Sequence, residues 1–254
     1  MASAPQAQSL PLFYNELIPL SSVEHGHFKG RPMTDWSMLK DTHAIPLTVE
    51  EFIVAQRFHP IVFSAGDEPL PLALYGLNEG VNMYMGENNL LVPEAYVPAY
   101  VRRYPFMLVR LQPDREDLSL CFDPSSGLLG EHEDGIPVFT DGQPSQETQN
   151  ALAFCEQFEM GVQKTMAFMN EIKELDLLQD GEVTIQHDGI EQPFVYRGFK
   201  IVAEEKLRDL RGDQLRKMNQ SGMLPILYAH LFSLQLLPTL FQKQFDAGKV
   251  QANA

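Results

Sequence analysis

The stretch Tyr96-Val-Pro-Ala-Tyr-Val-Arg-Arg-Tyr-Pro-Phe106 constrains this chain more than any other. It sets four aromatics, two prolines and an arginine pair within eleven residues. Each proline fixes its own backbone φ and removes an N–H donor, so the stretch is too rigid for a generic loop. It carries no nucleophile, no phosphate loop and no metal-ligand spacing. An arginine held among tyrosines can stack on them and still offer a planar fork to a carboxylate. Tyr100, Arg102, Arg103 and Tyr104 are therefore the candidate ligand-binding residues. The structural alternative pairs one arginine with a buried acid such as Glu159 and places the tyrosines in the core.

The chain has 254 residues, 44% of them hydrophobic, which is enough for a sizeable core in one large domain or two small ones. Residues 1–254 read as one domain with a loose N-terminal segment over 1–20. The formal net charge of −15 makes nucleic acid and anionic lipid poor partners. The mixed segment 206–217 interleaves Asp209 and Asp213 among its bases and reads as a solvated helix face. Cys121 and Cys155 form no CxxC pair and read as buried thiols. The first ten residues show no basic head and no apolar run. The apolar stretch 225–241 is broken by His230, Ser233, Gln235 and Pro238, and is shorter than the ~20 residues of a membrane span. The expectation is a cytoplasmic chain without membrane insertion, with export by a signal-less route as the alternative.

Residues 45–140 read mainly as strands. Segments 58–63, 72–77 and 81–85 suggest an antiparallel meander. A helix-sized insertion over 93–104 follows, then a strand pair over 106–111 and 118–122. Residues 123–144 read as loop, with a short edge strand at 136–139. A long helix over 145–178 starts at Pro144-Ser145 and repeats Leu152, Cys155, Glu159, Val162, Met166, Met169 and Ile172. A second β element covers 182–202, with turns at Asp188-Gly189 and Gly198. Short helices cover 204–211 and 213–220. A last helix over 223–242 presents Leu224, Leu227, Leu231 and Leu234, with Pro238 kinking or ending it. Strands first and helices afterwards predict an α+β fold, with a mixed or mainly antiparallel sheet packed on the long helix and a helical C-terminus.

Other constellations are weaker. His25-Gly-His27 would put two imidazoles on one side of a strand and, with His43 or His59, suit a divalent metal; an exposed pair in a polar loop is the simpler reading. The acidic segment 114–134 does not match a calcium loop. Glu50 and Glu51 after Thr48 fit a capping box. Cys121 with His132 is a formal nucleophile–base pair inside an apolar strand. Asn78, Asn82 and Asn88-Asn89 read as turn residues. No nucleophile elbow and no phosphate-binding glycine pattern occurs. No cofactor is expected, and an enzyme is the less favoured reading.

Pro60-Ile-Val-Phe63, Ala73-Leu-Tyr-Gly-Leu77, the stretch 96–106, Gly142-Gln-Pro-Ser145 and Tyr228-Ala-His-Leu-Phe-Ser-Leu234 together resemble the bacterial SapC family over nearly the whole chain. The family's name refers to paracrystalline surface layers, so the resemblance implies a surface-layer-related role. Family members look like frequent neighbours of modification enzymes and transporters, so the resemblance also implies an accessory to substrate modification or uptake. The resemblance brings no catalytic residues. The expected function is a non-catalytic binding or accessory protein that recognises a small acidic ligand, a peptide or a partner protein.

Overall fold

Pro98 and Pro105 decide the shape of the signature stretch. A proline cannot sit inside a helix, and the residue before it avoids helical backbone. One helical turn fits between them, Ala99–Arg102, so the helix-sized insertion expected over 93–104 shrinks to four residues. The peptide Tyr104–Pro105 is cis.

The computed structural model describes residues 10–112, 117–186 and 192–250. In chain order the strands are β1 (Ile18–Pro19), β2 (Lys29–Gly30), β3 (Ala44–Pro46), β4 (Ile61–Ser64), β5 (Pro71–Leu74), β6 (Phe106–Val109), β7 (Ser119–Phe122), β8 (Leu129–Gly130), β9 (Ile136–Pro137), β10 (Phe139–Thr140), β11 (Gln143–Pro144), β12 (Leu178–Ile185) and β13 (Phe194–Val202). The α-helices are α1 (Phe52–Ala55), α2 (Ala99–Arg102), α3 (Gln146–Glu174), α4 (Glu204–Arg208), α5 (Gly212–Gln220), α6 (Met223–Ser233) and α7 (Leu237–Asp246). All pairings between these strands are antiparallel. The fold is α+β, as expected. The turn read at Asp188-Gly189 lies outside the described residues.

The chain divides into two compact units: Met1–Thr34 with Arg103–Gln157, and Asp35–Arg102 with Phe158–Ala254. The first holds three small sheets, β1-β7-β6, β8-β2-β9 and β10-β11. Phe122, Leu129 and Val138 form its core cluster, with Ile18, Phe28 and Phe106 packed around it. The N-terminal segment is tied down rather than loose from residue 18, where Ile18 pairs with Phe122. The expected pair over 106–122 is β6 and β7. Residues 123–144 hold four two-residue strands instead of one, and Pro137 lies on the edge strand β9, where a missing donor does least harm.

The second unit is built on one five-stranded sheet, β12-β13-β4-β5-β3. β4 and β5 are the first two strands of the expected meander. The third, over 81–85, does not form; β3 takes that edge of β5. Gly76 is the reason. The chain folds back so closely there that a Cβ would lie 2.0 Å from the Val81 carbonyl oxygen. Asn82 then donates to Leu39 O at 2.7 Å and accepts from Tyr84 N–H at 2.8 Å, which fixes a loop. Met85 keeps a single bridge to Leu91.

Helix α3 starts as expected, with the Thr148 N–H donating to Ser145 Oγ at 3.3 Å. It stops at Glu174, four residues early, where Asp176 takes φ 51° and the chain turns into β12. Its buried side chains in the second unit are Phe158, Thr165, Phe168, Met169 and Ile172, while Met166 is exposed. Thr165 Oγ1 donates to Gly161 O at 2.7 Å and accepts from Val49 N–H at 3.0 Å.

The C-terminal helix turns a different face inward from the expected leucine stripe. Met223, Leu227, His230, Ser233, Leu237, Leu240, Phe241 and Gln244 are buried; Leu224, Leu231 and Leu234 are only half-buried. Pro238 neither kinks nor ends the run but opens α7 at its first turn, after a 3₁₀ turn over Leu234–Leu236, where a missing N–H is harmless. The helical run Met223–Asp246 reaches 24 residues, long and apolar enough to cross a membrane by length and composition, and longer than the 225–241 stretch suggested. Two of its polar residues face the sheet. His230 bonds Ile61 O at 2.9 Å and accepts from Val202 N–H at 3.1 Å. Ser233 Oγ accepts from Ile61 N–H at 2.9 Å and donates to His230 O at 2.6 Å.

Two substitutions test this packing. Ser233→Ala leaves the buried Ile61 N–H without its acceptor and should cost about 1–3 kcal/mol in urea unfolding. Gly76→Ala must displace the Val81 backbone and should cost more, by about 3 kcal/mol or upward. Unchanged midpoints would contradict the contacts described.

Candidate functional site

The carboxylate of Glu51 organises the signature stretch within the second unit. Thr48 and Glu51 form the expected capping box. The Thr48 N–H and hydroxyl donate to Glu51 Oε2 at 2.9 and 3.1 Å. Glu51 Oε1 accepts from Ala99 N–H at 2.7 Å and from the Tyr96 hydroxyl at 2.9 Å. One buried carboxylate thus receives four hydrogen bonds, two of them from the signature stretch. Arg102 approaches the same oxygen through Nη2 at 4.0 Å, an ion-pair distance beyond hydrogen-bond reach. Glu51 is thus a buried acid beside an arginine of the signature stretch.

Arg102 lies on the surface side of this cluster. Its Nε donates to Val97 O at 3.1 Å, which fixes the guanidinium plane, and 47% of its side chain is exposed. Tyr100 is buried and meets Phe158 edge-on at 6.2 Å between ring centroids. Arg103 and Tyr104 belong to the first unit. The guanidinium of Arg103, buried, stands 5.7 Å from the centre of the Tyr14 ring. Tyr104 packs edge-on against Tyr14 at 5.2 Å, and burial raises its phenol pKa, with the Asp123 charge adding to the effect. Of the four candidates, Arg102 is the exposed residue.

A second group in the same unit escaped the sequence reading as a group, His59 having been considered there only as a metal partner of His25 and His27. His59 is fully buried between Tyr75, stacked at 4.2 Å, and Tyr84, at 4.3 Å. Tyr96 N–H donates to His59 Nε2 at 3.1 Å, so Nε2 is the unprotonated nitrogen and Nδ1–H donates to Leu74 O at 3.1 Å. Tyr75 donates to Tyr96 O, and Tyr84 donates to Phe58 O at 2.8 Å. Burial lowers the His59 pKa to about 4, and raises the Tyr84 and Tyr96 phenols to about 12. Burial also pushes Tyr75 far upward. His230 is wired in the same way and is likewise lowered by burial to about 4. No linear spacing connects residues 51, 59, 75, 84 and 96; the alternation of aromatics with Leu and Met in strand-like segments disguised them as core.

The weaker constellations resolve differently. His25 and His27 lie in a turn, not a strand, so the same-side argument fails. His25 is buried against Phe28 and Phe122, its Nδ1 accepting from Ser21 N–H at 3.1 Å, whereas His27 is exposed on Glu131 at 2.9 Å. Among the described residues no group of three or more His, Cys, Asp or Glu side chains is placed to hold a metal ion. Of the acidic segment, Asp114 and Glu116 lie outside the described residues. Asp123 is buried and accepts from Asn15 N–H at 2.7 Å, and Asp134 pairs with Arg31. Burial raises the Cys121 thiol pKa, the reverse of what a nucleophilic thiolate needs. Asn88 and Asn89 take left-handed backbone, as turn residues do.

Two measurements follow. The folded state holds His59 and His230 neutral, while the unfolded chain takes up a proton at each below about pH 6.5. Their contribution is complete above that pH and is lost as pH falls toward 4. Stability should drop by about 2 kcal/mol per histidine between about pH 7 and pH 5; a flat profile over that range would contradict the wiring. Glu51→Leu strands four donors and should destabilise by about 3 kcal/mol or more, read as a lower melting temperature.

No curated protein and no solved structure matches the chain. The sequence pattern that defines the SapC family matches residues 20–240, across both units and including the whole Glu51–Tyr96–Arg102 cluster. The chain therefore belongs to the SapC family.

Proposed function

We propose that this SapC-family chain is a non-catalytic binding protein that presents Arg102 to a carboxylate, carried by a small molecule, a peptide or a partner protein. The observation that supports this reading is the exposure of an arginine side chain beside a buried carboxylate. The carboxylate takes its hydrogen bonds from Thr48, Tyr96 and Ala99, and Arg102 stands at ion-pair distance with 47% of its side chain exposed. A guanidinium oriented by the Val97 carbonyl loses little freedom when a ligand docks on its fork. Proton-transfer chemistry is the less supported alternative. General acids and bases work best with pKa values near the working pH, whereas burial takes His59 down to about 4 and Tyr96 up to about 12. Tyr100 and Arg103 act in this reading as packing residues.

Arg102→Met is the direct test. Binding of a simple carboxylate such as propionate, followed by amide chemical shifts, should weaken at least tenfold while the melting temperature moves little. Unchanged binding, or a variant that no longer folds because Arg102 is structural, would refute the proposal. A lattice role for a surface-layer component predicts something else: a pool of the chain on the cell surface, released by mild chelation.

A further inference from the structure

The five-stranded sheet of the second unit is split at one point. β13 and β4 pair at Phe199 with Ser64 and at Lys200 with Phe63. Carried two residues further, the same register sets Val202 opposite Ile61, where the imidazole of His230 stands between the strands. Its Nε2 accepts from Val202 N–H at 3.1 Å and its Nδ1–H donates to Ile61 O at 2.9 Å. Ser233 Oγ takes Ile61 N–H at 2.9 Å. The Val202 N–H and the Ile61 carbonyl therefore point at the same ring from opposite strands. Alternate facing pairs in an antiparallel ladder exchange both of their hydrogen bonds. Helix α6 thus fills, with two side chains, a place that the ladder could fill by itself. His230 is fully buried, and the Phe63 ring lies 4.8 Å from its own.

A protonated imidazole carries a hydrogen on both nitrogens. It sets an N–H against the Val202 N–H and brings a charge into the core. Little there compensates it. β4, α1 and the 3₁₀ turn Leu234–Leu236, all packed on α6, carry no ionisable side chain. On β13, Arg197 and Lys200 pair with Glu182 and Asp180, and Tyr196 lies against Phe241. On α5, Asp213, Arg216 and Lys217 are exposed, as is Tyr228 on α6 itself. Glu204 and Arg208 of α4 pair with each other at the surface. We propose that His230 is an acid-operated wedge: when it takes up a proton, α6 leaves the sheet, and β4 and β13 close the gap through direct Ile61–Val202 hydrogen bonds. Both arrangements satisfy the same backbone groups, which makes the junction a two-state element. Release frees the run Met223–Asp246, which has no Asp, Glu, Lys or Arg from Met223 to Phe241 and already exposes Tyr228 and Phe232. Acid thus uncovers a long apolar segment, independently of the Arg102 reading.

Burial holds the pKa of the wedged ring at about 4, against 6.5 for a released one. The detached form therefore binds more protons and gains as pH falls, by about thirtyfold between about pH 7.5 and about pH 5. Amide hydrogen exchange on the full chain tests the device. Protection of α6 and α7, corrected for intrinsic exchange, should fall by about thirtyfold over that range, while the amides of β4, β5 and Val202 keep theirs. His230→Gln offers a donor and an acceptor but takes up no proton, and should show no such fall. Three results overturn the proposal: no fall in the unsubstituted chain, a fall of sheet and helices together as in ordinary acid unfolding, or a Val202 amide that loses protection with the helices. If His230→Gln does not fold, the His230 ring of the unsubstituted chain decides by NMR titration. Proton uptake at the pH where the helices lose protection supports the wedge; uptake near pH 6.5 with the helices still protected sinks it.

Discussion

A single buried carboxylate holds the second unit's signature stretch in place. Burying an ionised group is costly unless hydrogen bonds replace its water, and Glu51 is compensated by four side-chain and backbone donors from two places in the chain, Thr48 and the 96–99 segment. The prolines on either side of α2 leave that segment few conformations of its own, so the capture costs little further entropy. The position of Arg102, and with it any binding function, depends on this anchor.

The same logic of buried polar groups repeats elsewhere in the unit. His59 and His230 each accept a backbone N–H at Nε2 and donate from Nδ1 to a strand carbonyl. Each imidazole replaces a sheet or loop partner that would otherwise be missing, and each is useful only while neutral. Ser233 and Gln244 serve in the same way on α6 and α7, Gln244 accepting from Leu77 N–H at 2.9 Å. The C-terminal helical run is thus attached by specific hydrogen bonds as well as by apolar packing. Its outer face keeps Tyr228 and Phe232 exposed and stacked on each other.

Much of this was legible in linear order. The β4–β5 and β6–β7 pairs, the Ser145 start of α3, the Thr48–Glu51 capping box and the α+β class all depend on neighbours a few residues apart. The errors arose where distant residues decided. Segment 81–85 alternates like a strand, yet Asn82 donates to Leu39 O, 43 residues away, and holds it as a loop. The C-terminal helix was assigned a leucine face because periodicity counts apolar residues, whereas His230 and Ser233 are buried through partners about 170 residues away in β4.

The amino-acid order alone determined the family, the α+β class, and the rigidity of residues 96–106, because prolines, caps and alternation act locally. Only the tertiary structure decided that Glu51 meets the signature, which of its two arginines faces water, and which histidines must stay uncharged. Those outcomes turn on contacts such as Glu51 with Tyr96 and Phe58 with Tyr96, formed across sequence gaps of roughly forty residues, where burial and hydrogen-bond geometry leave no trace in local spacing.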